Sequence, residues 1–387
     1  MLENFCQHAG VCGGCSLLGF TYDEQLRSKL AALGKLLFAA TGNSRLARPK
    51  FERLFAPDKP PRAFRQKVAF VFGAGPGGRG LVMGHYARGS HTVVPVVECP
   101  VHSDKGNRVA FALRDHLVRA GIGAAGTSRT GILRHLLVRT SQDDRQSVAM
   151  LVVTRNDKAL RRPVRALLES AESPDGFFIN IHNDPGPFMV GSETIRIAGQ
   201  RHIRETINGI SYLVSPTAFF QTNVLAATVL QRLVVASIGP GASVVDLYCG
   251  SGLFSLALAG TSTRVIAIEE DRQAIKDAEA NARLNRILPG RVRFLCARVE
   301  DSLARLTRDR WDAVVLDPPR QGCPRAVIHG VFEQLRPARV VYVSCNPEAL
   351  ASELPAMLRA GYRIEDVRAV DMFPHTDHIE AVVRLSF

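Results

Sequence analysis

Cys345 stands at the end of an apolar run, in Val340-Val341-Tyr342-Val343-Ser344-Cys345-Asn346-Pro347. A cysteine there can be a small buried hydrophobe. It can also be a nucleophile held over a bound ligand, because the thiolate is intrinsically reactive. One reaction in particular needs such a group. Carbon 5 of a pyrimidine is a poor nucleophile until a thiolate adds to carbon 6. The resulting enolate can then take a methyl group from a sulfonium, after which a base must remove the C5 proton so that the thiol can leave. That chemistry requires a cysteine, a proton acceptor and a methyl donor in one cleft.

The sequence offers candidates for the other two. Asp246-Leu247-Tyr248-Cys249-Gly250-Ser251-Gly252 closes an apolar run, and glycines let backbone turn tightly beside a ligand. Position 255 is Ser, so the third glycine of a dinucleotide fingerprint is missing. Glu269 ends the next apolar run and can accept from both ribose hydroxyls of an adenosine ligand. A short Gly turn plus that acid suits S-adenosylmethionine; a plain strand-to-helix turn is the alternative. Asp317-Pro318-Pro319-Arg320 closes a further run, and its prolines fix the backbone that carries the carboxylate. The stretch DMFPHTDHIE, 371–380, ends on Glu380, with His375 and His378 nearby. A metal site there is disfavoured, since the spacing is not H-E-x-x-H and no helix is expected after Pro374.

Three more cysteines, Cys6, Cys12 and Cys15, crowd into the first fifteen residues, and Cys99 precedes a proline. Four thiolates can hold zinc or an iron–sulfur cluster. Zinc ligands usually come as two short pairs, and a three-plus-one arrangement fits a cluster better.

The elements that must position these groups can be read from periodicity. Residues 22–40 carry Leu26, Leu30, Leu33, Leu36 and Leu37 at helical spacing. The Pro- and Arg-rich stretch 48–67 reads as a connector. From about 64 to 215 short β-branched and aromatic runs alternate with turns, interrupted by helices near 104–120 and 157–171, which predicts an α+β domain. From 216 onward strands alternate with helices and predict a parallel, doubly wound Rossmann-like sheet. Ligands of such sheets bind at the carboxyl ends of strands, where DLYCGSG, LDPPR and VSCNP all fall. The expected domains are 1–55, a cysteine loop and helix; 56–215, a β-rich α+β domain that supplies Cys99; and 216–387, the Rossmann-like domain.

The chain has 387 residues, and Lys plus Arg exceed Asp plus Glu, for a net charge of +13. This excess favours a polyanionic partner. The basic residues are spread along the chain, as on a folded surface that tracks phosphates; Lys50, Arg62, Arg65, Lys67, Arg79 and Arg88 are candidates. No apolar stretch long enough to span a bilayer and no signal peptide is evident, so a cytoplasmic protein with reduced thiols is expected.

FFQTN (219–223), DLYCGSG (246–252), AIE (267–269), LDPPR (316–320), VSCNP (343–347) and DMFPHTDHIE (371–380) together resemble the RNA uridine C5-methyltransferase family, in its order and spacing. The resemblance implies Cys345 as nucleophile and Glu380 as base, with Gln221, Tyr248, Gly250, Gly252, Glu269 and Asp317 around S-adenosylmethionine. Relatives that carry Asn or Asp after the third strand have Arg298 near that place here. The cysteine pattern is similar to the ribosomal-RNA branch of the family, which implies a [4Fe–4S] cluster on Cys6, Cys12, Cys15 and Cys99. Absence of an oligonucleotide-binding barrel before Cys6 resembles the short form, whose implied substrate is 23S ribosomal RNA, with transfer RNA as the alternative. A non-catalytic iron–sulfur RNA-binding protein is a further reading, as is a nicotinamide oxidoreductase, which the missing glycine and SCNP disfavour. No membrane and no obligate protein partner is expected.

Overall fold

The computed structural model describes residues 5–56, 59–126, 131–184 and 189–387. Pro57 and Asp58 of the expected connector lie outside that set. The chain opens with the cysteine loop, then α1 (Tyr22–Thr41) and β1 (Lys50–Glu52). Thr21 caps α1, accepting from the Glu24 amide while the Glu24 side chain accepts from the Thr21 amide. Gly42, with φ of 66°, ends the helix in the left-handed region.

A seven-stranded sheet follows, in the order β4-β3-β2-β5-β6-β7-β8. Its strands are β2 (Lys67–Ala74), β3 (Leu81–Tyr86), β4 (Val93–Pro95), β5 (Leu133–Thr140), β6 (Ser147–Val153), β7 (Gly176–Ile181) and β8 (Glu193–Gly199), with α2 (Asp104–Arg119) and α3 (Arg161–Leu168) between them. The central strand β6 is buried along its whole length, and its alternation sorts the two faces. Ala149, Leu151 and Val153 pack with α2 and α3, whereas Val148, Met150 and Val152 face the other way into a core shared with the C-terminal half. The hairpin β9 (Ile203–Ile207) and β10 (Ile210–Val214) caps that shared core through Ile207 and Tyr212.

The C-terminal half is α4 (Val224–Ile238), β11 (Ser243–Leu247), α5 (Leu253–Ala259), β12 (Arg264–Glu269), α6 (Arg272–Leu284), β13 (Val292–Cys296), α7 (Val299–Leu306), β14 (Ala313–Leu316), α8 (Arg325–His329), β15 (Arg339–Ser344), α9 (Pro347–Arg359), β16 (Arg363–Val370) and β17 (Glu380–Ser386). Its eight-stranded sheet runs β1-β16-β17-β15-β14-β11-β12-β13. The doubly wound Rossmann-like expectation holds, with two differences. Strand β17 is antiparallel to both neighbours, β15 and β16. The stretch read as a connector supplies β1, which pairs in parallel with β16 at the sheet's edge. Three residues between prolines carry too little periodicity to be read as a strand. Strand β8 exposes most of its length, whereas β9 alternates buried and exposed residues.

Candidate active site

The turn that carries Cys345 is fixed by its neighbours. Ser344 Oγ donates to the Asn346 carbonyl at 2.9 Å and accepts from the Asn346 amide at 3.2 Å. Asn346 caps α9, accepting from the Glu348 amide at 3.1 Å, and Pro347 opens the helix with a preset φ. A strand ends on Ser-Cys-Asn-Pro because serine and asparagine lock a tight strand-to-helix turn and leave the cysteine, half-buried, at its crest. The Asn346 side chain also donates to the Arg320 carbonyl at 2.9 Å, which ties the DPPR loop to this turn.

The antiparallel strand brings the carboxylate. Ser344 and Ala381 are the last pair of β15 and β17, so Cys345 follows the end of one strand where Glu380 opens the other, and the Glu380 charge reaches the Cys345 thiol. Glu380 is 4% exposed, and burial pushes its carboxyl up to about 7, with Arg320 opposing. Burial pushes the Cys345 thiol up to about 11; the Glu380 and Asp317 carboxylates add to this, and Arg320 counteracts them. Asp317 follows β14 and donates its amide to the Leu247 carbonyl at 3.3 Å, at the point where the strand order reverses. Its carboxyl is pushed well above the usual range by burial first and then by Glu380, Asp246 and Glu269. One thiol, two carboxyls and one guanidinium thus share one electrostatic neighbourhood. The Arg320 side chain was not among the expected site residues, although its place beside Asp317 in the motif is the signal.

The neighbouring turn fits a nucleoside ligand. Tyr248, Gly250 and Gly252 all have positive φ, 65°, 52° and 90°. Space is open where a Cβ on Gly250 would stand, whereas one on Gly252 would press Leu256 at 3.2 Å. The Gly250 amide donates to Glu269 Oε2 at 3.1 Å, and the Asp271 amide to Oε1 at 2.9 Å. Both oxygens are thereby oriented and keep a free lone pair for ribose hydroxyls. Beneath them, buried Asp246 accepts from Ser255 Oγ, and burial lifts its carboxyl to about 7. Gln221 sits in a loop stapled on both sides. The Gln66 amide donates to the Thr222 carbonyl at 2.7 Å, and Asn223 donates to the Met372 carbonyl at 3.1 Å. Arg298 pairs with Glu300 at 3.7 Å.

The four N-terminal cysteine candidates meet at a second place. Cys6, Cys15 and Cys99 pack against one small cluster of Phe5, Phe64 and Val101. Burial, then the charges of Cys99, Cys12 and Cys6, push Cys15 up to about 12. Cys99 is raised to about 11 by burial, with Cys12 and Cys6 contributing. All four are free thiols. Arg65 faces Cys99 and Cys15, and its Nε is buried without a partner. An anionic metal–thiolate cluster would answer that orphaned donor, so the residues present fit such a group. His85 and His102 bring ring nitrogens within 4.8 Å of Cys99, but Arg65 faces this trio too and disfavours a separate cation there.

Other candidates are dispersed. His375 is fully buried, and its two ring nitrogens lie 3.3 Å from Gln25 Nε2 and 2.8 Å from the Pro61 carbonyl, so it is no ligand of a metal beside Glu380. Lys50 pairs with Asp366 at 3.1 Å on the sheet edge. Arg62, Arg79 and Arg88 are exposed, whereas Arg65 and Lys67 are sunk beside Arg139.

A sheet of this order, with a glycine turn and an acid on its second strand, defines an S-adenosylmethionine-dependent methyltransferase. A model of the family described as tRNA (Uracil-5-)-methyltransferase matches residues 192–386. An RNA methyltransferase of Gloeobacter violaceus is 34% identical over 99% of this chain and 82% of its own length. One from Geobacter sulfurreducens is 33% identical over 98% and 76%. The crystal structure of Pyrococcus abyssi tRNA (uracil-54, C5)-methyltransferase in complex with S-adenosyl-L-homocysteine superposes with a TM-score of 0.78, at 25% identity over 97% of this chain and 86% of that one. The chain belongs to the S-adenosylmethionine-dependent RNA uracil-5-methyltransferase family.

Proposed function

We propose that this enzyme methylates C5 of one uridine in RNA, with Cys345 as nucleophile and Glu380 as base. The observation that carries the reading is the meeting of Cys345, just past the Ser344–Ala381 pair that ends the β15–β17 register, with the buried Glu380 that opens β17 at the carboxyl edge of the sheet. S-adenosylmethionine supplies an electrophilic methyl group when bound; Gln221, Tyr248, Gly250, Gly252, Glu269 and Asp317 would hold it. The target base leaves its stack to reach the cleft. The Cys345 thiolate adds to C6, and the electron pair of the C5–C6 double bond moves into the enolate. C5 takes up the methyl group, which leaves its bonding pair on the donor sulfur. Glu380 then removes the C5 proton; the double bond re-forms and expels the Cys345 thiolate. The net change is a methyl group for a proton.

Cys6, Cys12, Cys15 and Cys99 would hold a [4Fe–4S] cluster, and a cytoplasmic place of action goes with this reading. The substrate we favour is 23S ribosomal RNA, on the cysteine pattern. The likeness to the Pyrococcus transfer RNA enzyme supports transfer RNA as a second reading.

The test uses RNA carrying 5-fluorouridine, because fluorine at C5 blocks the last proton removal. The enzyme with S-adenosylmethionine should form a covalent adduct with 23S fragments on a denaturing gel, and Cys345→Ala should form none. An adduct with transfer RNA alone would keep the chemistry and reassign the substrate. Donor binding without any adduct would leave a non-catalytic RNA-binding protein.

A further inference from the structure

Among the described residues Glu380 makes no side-chain hydrogen bond that would hold it, yet the segment leading into it is gripped from outside the catalytic sheet. His375, five residues before Glu380, has φ of 66° and is buried. A β-carbon residue at positive φ is strained and persists only where its surroundings impose it. Here they do. The His375 amide donates to Gln25 Oε1 at 2.9 Å, and the Leu17 amide donates to the His375 carbonyl at 2.9 Å. Phe5 lies 4.8 Å from the imidazole, ring centre to ring centre. Gln25 is itself saturated, donating to the Leu17 and Phe20 carbonyls at 3.1 and 3.0 Å.

The grip continues along the segment. Ser16 Oγ donates to Asp377 Oδ2 at 2.7 Å, three residues before Glu380. Lys29 donates to Asp371 at 2.7 Å and to the Phe373 carbonyl at 3.0 Å. Every one of these partners lies between residues 5 and 29 or at Pro61. Two of them, Ser16 and Leu17, directly follow Cys15.

We propose that the segment after the N-terminal cysteines and the first turns of α1 form a bracket that positions Glu380, with Gln25 and His375 as positioning residues for the proton-removal step. The inference rests on the reaction proposed above. It separates that reaction into parts. Addition of Cys345 and methyl uptake depend on the β15 turn and the glycine turn, which the bracket does not touch, and on the Gln221 loop, which meets the segment at Met372, three residues before the Gln25–His375 contact. Proton removal depends on Glu380, which enters β17 directly from the bracketed segment. A loosened bracket therefore slows the last step and leaves the earlier ones.

The experiment compares wild type with Gln25→Met, which keeps the volume and removes the hydrogen bonds, and with Ser16→Ala, a milder surface change that preserves folding. Two RNAs are used, one with 5-fluorouridine and one with ordinary uridine, and iron content is measured alongside. Adduct formation on the fluorinated RNA and iron content should stay within about twofold of wild type. On ordinary RNA the release of product should slow about tenfold or more in Gln25→Met, and less in Ser16→Ala. A covalent adduct with ordinary RNA, already methylated, should then accumulate on a denaturing gel. Unchanged release, or fluorinated adduct and release falling in parallel, would overturn the bracket. Failure of wild type itself to form the fluorinated adduct would instead overturn the underlying reaction.

Discussion

At the scale of residues, the site couples a thiol and a carboxyl whose environments oppose their ionisation. The Cys345 thiol is raised by burial and then by Glu380, so removing that charge should ease its ionisation. In Glu380→Gln, alkylation of Cys345 by iodoacetamide at pH 8.5 should be faster, followed by peptide mass spectrometry. A shift of half a pKa unit changes the thiolate fraction about threefold; an unchanged or slower rate would refute the coupling. Glu380 itself must be ionised to take a proton. Its carboxyl sits at about 7, so tritium release from methylated adduct already formed on RNA labelled at uridine C5, followed after a pH jump, should speed up with pH to about 7 and then level. A profile flat from pH 5 to 8 would remove Glu380 from the step. Cys345, Glu380 and the glycine turn were legible because their residue types demand unusual surroundings. Gln25 and Lys29 were not, because a glutamine and a lysine on a helix read as solvated. Their signal is position: Lys29 stands in line with Tyr22, Leu26, Leu33 and Leu37, where the stripe calls for an apolar residue.

At the scale of elements, α1 is bolted to the catalytic sheet by a buried ion pair. The Lys29 and Asp371 side chains are 1% and 0% exposed, 2.7 Å apart. Burial lowers the lysine and raises the aspartate, so on each partner desolvation outweighs the attraction. Removing one partner leaves an uncompensated charge, and Lys29→Met should cost about 3–5 kcal/mol in urea unfolding. Replacing both, Lys29→Met with Asp371→Leu, should recover a large part of that. A double variant as unstable as the sum of the singles would mean that the pair is not what the helix relies on. The alternation of strands and helices after 216 was legible because each strand is a β-branched run bounded by turn residues, and each helix has its own apolar period. The antiparallel β17 was not, since strand direction is not written in an apolar pattern. That direction is what returns Glu380 to the edge where Cys345 stands. β1 is the complementary case, a three-residue strand whose parallel pairing with β16 no local pattern announces.

At the scale of the whole molecule, the cleft is built by parts far apart in sequence. The seven-stranded sheet shares a core with the catalytic half through Val148, Met150 and Val152. Gln66 staples the loop that carries Gln221. The cysteine loop reaches both ways: the Gly13 amide donates to the Tyr86 carbonyl at 2.9 Å on the hairpin of β3 and β4, while Ser16 and Leu17 hold the segment before Glu380. The chain from Gly13 to Leu17, with Cys15 in its middle, spans from one contact to the other. A metal cluster on Cys6, Cys12, Cys15 and Cys99 would fix that span. It would add metal–thiolate bonds to a small apolar patch of Phe5, Phe64 and Val101 that the span otherwise packs on. Stripping iron with a chelator under mild oxidation should therefore lower the thermal midpoint and slow product release. Binding of S-adenosylmethionine at the glycine turn should survive, because that turn is tied within the C-terminal half, to β12 through Ile268 and Glu269 and to α6 through Asn281. Reconstitution with iron and sulfide should restore both losses. If stripped enzyme keeps its midpoint and its release rate, the four cysteines do not staple the molecule. If donor binding is lost together with release, the effect is global unfolding and not the loss of one joint.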